Sequence, residues 1–291
     1  MTVKSGRWAA MFLAVPLTLY LAFVVGPSLY SFYYGFTDWN FLTGEANFTG
    51  LENFRRLLDD DGFWSAFQNT IIWTALGLLI SVVGGFWLAL ALSRLAVLER
   101  FIKSLFFLPM ALSLVVVGFI WFWIYRLDFG FANILLRAFG FEDLATAWLA
   151  DRNWALFAVI LAWGWQQIAL SMIVFLAGLT SVPKELLEAA TMDGARFRHQ
   201  LSQVIIPSVR PATGVVISLA LINSLKSFDI VWVMTGGGPF EQSETLAVLI
   251  YRQAFRSYEF GYSSTIAVAL FVITLVIIGG SMLANRRRGD E

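Results

Sequence analysis

Residues 180–211, TSVPKELLEAATMDGARFRHQLSQVIIPSVRP, are the polar stretch around which this 291-residue chain is organised. Ser181 suits a helix N-cap, and Pro183 and Glu185 suit the first turn, where the N–H missing from proline has no partner anyway and a carboxylate meets the positive helix end. Leu186, Leu187, Ala189 and Ala190 continue the helix, and Asp193-Gly194 stops it, because glycine enters the left-handed backbone region freely. Beyond the turn Phe197, Leu201, Val204 and Ile205 recur at helical spacing until Pro207, with Arg196, Arg198, His199, Gln200 and Gln203 between them. The pattern predicts two short helices hinged at a glycine, the second basic and amphipathic. That second helix suits a headgroup surface and a docking protein equally.

Outward from this loop the chain turns apolar on both sides. A helix crossing a bilayer needs about 20 apolar residues, and the candidate spans are 8–30, 68–92, 105–125, 154–179, 212–225 and 262–284. The fifth is the shortest, bounded by Arg210-Pro211 and by Lys226, and is read as either extending past Lys226 or broken. None contains Asp, Glu, Lys or Arg, as the cost of an ionised group in hydrocarbon requires. Only 14% of the chain is charged, against about a quarter in a soluble protein. The expectation is an all-α integral membrane protein with six transmembrane helices in a single domain over 1–291. Lys4 and Arg7 before the first apolar run resemble a secretory signal, but the run is long and lacks a clear small-residue cleavage site, so it is read as an uncleaved helix. Tyr20, Tyr30, Trp39, Trp64, Trp148 and Trp154 lie near span ends or in outer loops, where most are expected to anchor the interface.

Lys and Arg are retained on the cytoplasmic side of short loops. The amino terminus, second loop, fourth loop and carboxyl tail together hold twelve bases against six acids, and the remaining loops hold eight bases against fourteen acids. Both termini and the 180–211 loop are therefore expected in the cytoplasm. The Asp59-Asp60-Asp61 run falls outside, where a solvated loop explains it.

Several chemistries drop out. Bases and acids balance at 20 each, so no cationic field invites nucleic acid. The single histidine, His199, makes no histidine cluster for a metal, and zero cysteines exclude thiol and iron–sulfur chemistry. No acid–base cluster within the spans supports a membrane enzyme, so no catalytic residue is assigned. An ion-coupled secondary transporter or channel stays open as the alternative, weakened because proton pumps carry ionisable groups within the membrane. The chain has no Gly-x-x-x-x-Gly-Lys-Ser/Thr phosphate loop; Gly236-Gly237-Gly238-Pro239 lacks the lysine. Energy for pumping is expected from another subunit.

Glu188-Ala189-Ala190, three residues, Gly194, nine residues and then Val204-Ile205-Ile206-Pro207 resemble the "EAA" loop of membrane subunits of bacterial ATP-binding-cassette importers. The usual ending is Ile-x-Leu-Pro, so Val204 and Ile206 are conservative departures. Phe228 to Pro239, FDIVWVMTGGGP, with Glu244-Thr245-Leu246 after it, is similar to the Thr-Gly-Gly-Gly-Pro region of the MalF-like branch of carbohydrate permeases. So is Asn47 to Phe54, NFTGLENF. The resemblance implies a type I importer arrangement in a bacterial or archaeal cytoplasmic membrane, with short cytoplasmic coupling helices. Implied partners are a second permease subunit, two cassette ATPases, an extracytoplasmic sugar-binding protein and membrane lipid. No cofactor is implied in this chain; ATP and Mg would sit on the ATPases. Glu188, Ala189, Ala190, Asp193 and Gly194 would form the ATPase-coupling element.

Sugars offer hydroxyls at the edge and C–H groups on the face, so amides beside aromatic rings suit them. Trp163, Trp165, Gln166 and Gln167 in the fourth span, and Asn223, Ser224 and Ser227 at the fifth, have that chemistry. The resemblance implies that these stretches line the substrate cavity, with identities that suggest a different sugar from maltose. The same amides equally suit hydrogen bonds between helices. Trp163 and Trp165 face different sides of one helix, so no more than one is expected to meet a ligand.

Overall fold

The computed structural model describes residues 5–94 and 99–289. Lys4, Asp290 and Glu291, counted above among the cytoplasmic charges, lie outside the described residues. Among the described residues the chain is helical, with isolated bridges Thr37–Phe48 and Asn40–Glu259 and no strand. Four helices are long and apolar enough to cross a membrane: Phe12–Tyr34, Asp61–Leu92, Ala155–Thr180 and Phe260–Ser281. Two bent pairs bring the number to six if each is one span: Leu105–Ala111 with Leu114–Ile124 at 116°, and Phe197–Ser208 with Arg210–Leu225 at 66°.

The sharper bend interrupts the stretch expected as one helix over 105–125. Pro109 lies inside the first segment and supplies no N–H to its ladder. Ser113 then caps the second segment, its side chain accepting from the Val116 N–H. Arg210–Leu225 ends with Lys226 as its C-cap, and a separate short helix, Asp229–Met234, follows. The fifth apolar stretch is thus broken at Lys226.

Two compact units divide the chain: residues 1–63 with 249–273, and 64–248 with 274–291. In the first, the Asn47–Phe54 segment is tied to the end of the Gly26–Tyr34 helix by polar side chains. Asn53 Nδ2 donates to the carbonyls of Gly35 (3.3 Å) and Thr37 (2.8 Å), and Asp38 Oδ1 accepts from the Asn47 N–H at 2.7 Å. Thr265 Oγ1 donates to Gly35 O at 2.9 Å. At Gly261 a Cβ would fall 2.1 Å from the Thr37 carbonyl oxygen, so only glycine permits this approach. Arg56 pairs with Glu259 at 2.7 Å and stacks over the Tyr262 ring, whose hydroxyl donates to Asp60.

The second unit is built on Ala155–Thr180. At 26 residues this helix is about 39 Å long, sufficient to cross the hydrocarbon. It is apolar on every side and half-buried along its length, as a helix surrounded by others must be. Its neighbours approach where side chains are small. A Cβ on Gly77 would lie 2.6 Å from the Trp163 ring, one on Gly85 2.4 Å from Ser171 Cβ, one on Gly164 2.8 Å from Ile80 and one on Gly178 2.7 Å from Ala212. Lipid is as apolar as leucine, so close packing at small residues has to hold such helices together. Gly85→Val should therefore lower stability by about 1–3 kcal/mol, read as a fall in the thermal unfolding midpoint in detergent; Gly280→Val, where a Cβ meets nothing within 4 Å, should leave the midpoint unchanged.

Candidate functional site

A cavity of about 370 Å³ opens in the second unit, lined by Met110, Leu114, Trp163, Gln166, Gln167, Leu170, Asn223, Lys226, Ser227 and Asp229. That volume lies within the range of roughly 300–1,000 Å³ common for small-molecule sites. Five of the seven residues expected on a sugar path meet here: Trp163, Gln166, Gln167, Asn223 and Ser227. The other two do not. Trp165 packs against Trp121 with ring centroids 6.1 Å apart, and Ser224 is buried with its hydroxyl donated to Leu221 O.

The two helices that carry the amides fix them differently. Gln166 Nε2 reaches the bend in the third apolar stretch and donates to Leu112 O at 2.6 Å and Pro109 O at 3.2 Å. Pro109 O also accepts the Leu112 N–H at 3.3 Å, whereas Leu112 O has no backbone donor at the break among the described residues, so the glutamine completes the interrupted ladder there. Asn223 Nδ2 donates to Gln167 Oε1 at 3.2 Å, linking the fourth and fifth stretches side chain to side chain. The helix-bonding role and the cavity-lining position thus coexist in the same residues. Gln166 Oε1, Gln167 Nε2 and Asn223 Oδ1 carry no hydrogen bond among the described residues.

Two further polar atoms at the cavity are buried without a partner. Trp163 is fully buried, its ring 5.7 Å from that of Trp73, and its Nε1 has no acceptor among the described residues. Ser227 is 3% exposed and its hydroxyl is also unpaired. Most buried polar groups are satisfied, and both of these orphans belong to residues that line the one cavity. Lys226 and Asp229 line the same cavity; the sequence shows them only as a span boundary and as part of the Phe228–Pro239 segment.

The residues after the cavity form a closed loop. Gly236 and Gly237 take φ of +61° and +93°, and Thr235 Oγ1 lies 2.8 Å from Ser243 Oγ, which donates to Gly238 O. Asn69 Nδ2 donates to the carbonyls of Glu244 and Glu241, and Thr70 Oγ1 accepts from the Leu246 N–H. The Thr-Gly-Gly-Gly-Pro segment is thereby held to the start of the second apolar helix. Between the third and fourth apolar stretches Asn133, fully buried, accepts from Trp148 Nε1 at 2.9 Å and donates to the carbonyls of Arg126, Leu127 and Thr146. Trp148 is therefore fixed by a protein acceptor.

The 180–211 loop is a second feature. Its first helix is Lys184–Met192, and Pro183 occupies the N-cap expected for Ser181. Ser181 Oγ instead donates backward to Gly178 O at 2.7 Å, as serine does at a helix end when a nearby carbonyl is free. At the other end the Ala195 N–H bonds Ala190 O at 2.9 Å and the Gly194 N–H bonds Thr191 O at 3.0 Å, with Gly194 at φ +74°. This double closure is a Schellman end, and its left-handed residue is the glycine. Gln200 Nε2 donates to Thr191 Oγ1 and Ala195 O, binding the second helix to the first. The Arg94 guanidinium stacks over the Phe197 ring at 3.9 Å. Glu188, Ala189, Asp193 and Gly194 are exposed and Ala190 is half-buried. Leu186 and Met192 on the same helix are also exposed, Met192 at 88%. The sequence shows this apolar surface only as ordinary helix formers.

The family described as "Binding-protein-dependent transport system inner membrane component" matches residues 81–288. The multiple sugar-binding transport system permease protein MsmF of Streptococcus mutans is 34% identical over 275 residues, covering 94% of each chain. The xylose/arabinose import permease protein XacH of Haloferax volcanii is 31% identical over 283 residues, covering 97% of this chain and 89% of that one. A solved bacterial ABC transporter involved in import of the acidic polysaccharide alginate shares the fold, with a TM-score of 0.85, 21% identity, and coverage of 98% of this chain and 97% of that one.

Removing the bridge at the bend tests the cavity geometry. Gln166→Leu should cost about 1–3 kcal/mol by stranding the Leu112 carbonyl, measured as a lower unfolding midpoint, whereas Trp165→Phe, outside the cavity, should cost less.

Proposed function

Because the chain belongs to the family of binding-protein-dependent transport system inner membrane components, we propose that it is the permease subunit of an ATP-driven importer for a sugar or oligosaccharide. Permeases for sugars among its relatives support the carbohydrate class. The observation that carries the reading is the polar cavity, where unpartnered buried groups and amides surround a space of ligand size. The chain itself is a transport subunit of this family and not an enzyme. No feature of the family favours the ion-coupled transporter or channel.

The proposed assembly pairs this chain with a second permease, two cassette ATPases binding ATP and Mg, and an extracytoplasmic binding protein that delivers the sugar. Both termini and the Lys184–Met192 helix lie on the cytoplasmic side in this arrangement. Glu188, Ala189, Ala190, Asp193 and Gly194 make the coupling surface. A short helix transmits motion only if it is rigid and seated. The Schellman closure at Gly194 and the Gln200 bridge supply rigidity, and exposed Leu186 and Met192 supply apolar contact for a cleft. Closing of the ATPases would move this loop and the Ala155–Thr180 helix that precedes it, turning the cavity outward; hydrolysis would reset it. Trp163, Gln166, Gln167, Asn223 and Ser227 would contact the passing sugar, with Trp165 and Ser224 supporting them from behind.

Affinity purification in mild detergent should retain an ATPase, a second permease and a solute-binding protein; recovery of the chain alone, with unaided accumulation of a solute in vesicles, would refute the reading. Proline cannot reach the positive φ of Gly194, so Gly194→Pro should lower uptake by about tenfold or more while the chain still inserts, and Glu188→Lys should uncouple hydrolysis from uptake or shed the ATPase. The absence of cysteine makes sidedness directly readable. With a membrane-impermeant maleimide on intact spheroplasts, Glu142→Cys should label and Ser202→Cys should label only after lysis.

A further inference from the structure

The cavity is lined by two ionisable side chains, Lys226 and Asp229, placed on either side of the break in the fifth apolar stretch. Both side chains are exposed. Neither forms an ion pair or hydrogen bond with another described residue. An ionised group among membrane helices is costly and is ordinarily kept for function. Here a cation and an anion stand in one small space without neutralising one another. Between them sits Ser227, whose buried hydroxyl is unpaired, and the unpaired Trp163 Nε1 shares the lining.

This arrangement sets the charge of what can be held. An ammonium offers three N–H donors and a carboxylate only acceptors, so the pair together suits a molecule with several hydroxyls, each able to give or take. An acidic sugar drawn to Lys226 would bring its own anion beside Asp229, and a cationic sugar would meet Lys226 in the same way. In a cleft with low-dielectric walls such like-charge encounters are felt more strongly than on an open surface and disfavour the wrong ligand. We propose that Lys226 and Asp229 are specificity-determining residues of the translocation cavity, and that the ligand they select is an uncharged saccharide bound through charge-assisted hydrogen bonds to both. The assignment rests on the sugar-importer reading and narrows it to neutral carbohydrates, in contrast to the acidic polysaccharide named for the solved structure of like fold.

The test uses the complete importer in proteoliposomes. ATP-dependent uptake is measured for neutral malto-, xylo- and chito-oligosaccharides and for their acidic counterparts, galacturonate oligomers and sugar phosphates. The wild type should take up a neutral saccharide in preference to every acidic one. Lys226→Met and Asp229→Asn should each lower that uptake by about tenfold at subsaturating sugar, with all subunits retained on size exclusion, and Lys226→Arg should recover part of it. Preferred uptake of an acidic saccharide would overturn the assignment without involving any variant. So would wild-type uptake in both Lys226→Met and Asp229→Asn, or loss of the second permease from both, which would mean that the charges serve the subunit interface. If the wild type takes up no saccharide while ATP is hydrolysed, the sugar-importer reading itself fails, and the assignment with it.

Discussion

Close approach of helix backbones to Ala155–Thr180 is the constraint on which the second unit depends. In water, burial would press these apolar surfaces together, but in a bilayer the tails compete on equal terms. What remains is van der Waals contact, which is strong only when surfaces meet without gaps. Gly77, Gly85, Gly164 and Gly178 make those meetings possible at three levels of one helix, around residues 163–164, 171 and 178. The contact at Gly77 also decides the cavity wall, because the indole that fills the missing side chain's place is Trp163. Packing and site therefore share a residue.

The cavity shows how a polar interior is built within an apolar bundle. Breaking a helix frees carbonyls, and these need donors. The third apolar stretch is broken beyond Pro109 and receives its donors from Gln166; the fifth is broken after Leu225 and places Lys226, Ser227 and Asp229 at the gap. Both breaks border the same space. Irregular backbone at membrane depth is tolerated where it lines such a cavity, and the two breaks conform to that rule.

The helical membrane plan was readable because hydrocarbon excludes ionised groups, which leaves long uncharged intervals between charged loops. The stop at Gly194 was readable because helix termination is a local matter of backbone angle. The 116° bend was not: Pro109 is compatible with a gentle kink, and the outcome depends on an amide arriving from 57 positions away. Nor could the sequence choose between Trp163 and Trp165, since a helix apolar on every side has no periodicity to show which face looks inward. Lys226 and Asp229 were hidden for a different reason. Charge at the edge of an apolar run signals a boundary, and only the three-dimensional break turns that boundary into a wall. Ser181 failed as a cap because a serine hydroxyl has a rival acceptor one turn behind it in Gly178 O.

The amide of Gln166 has a directional consequence. A primary amide has two N–H donors, and both Pro109 O and Leu112 O are supplied from Gln166 Nε2. Its remaining oxygen can only accept a hydrogen bond. A hydroxyl next to it can bond, whereas an ether or methoxy oxygen in the same spot cannot. On the sugar-importer reading, this point of the wall would distinguish a free sugar hydroxyl from one capped by methylation or glycosidic linkage.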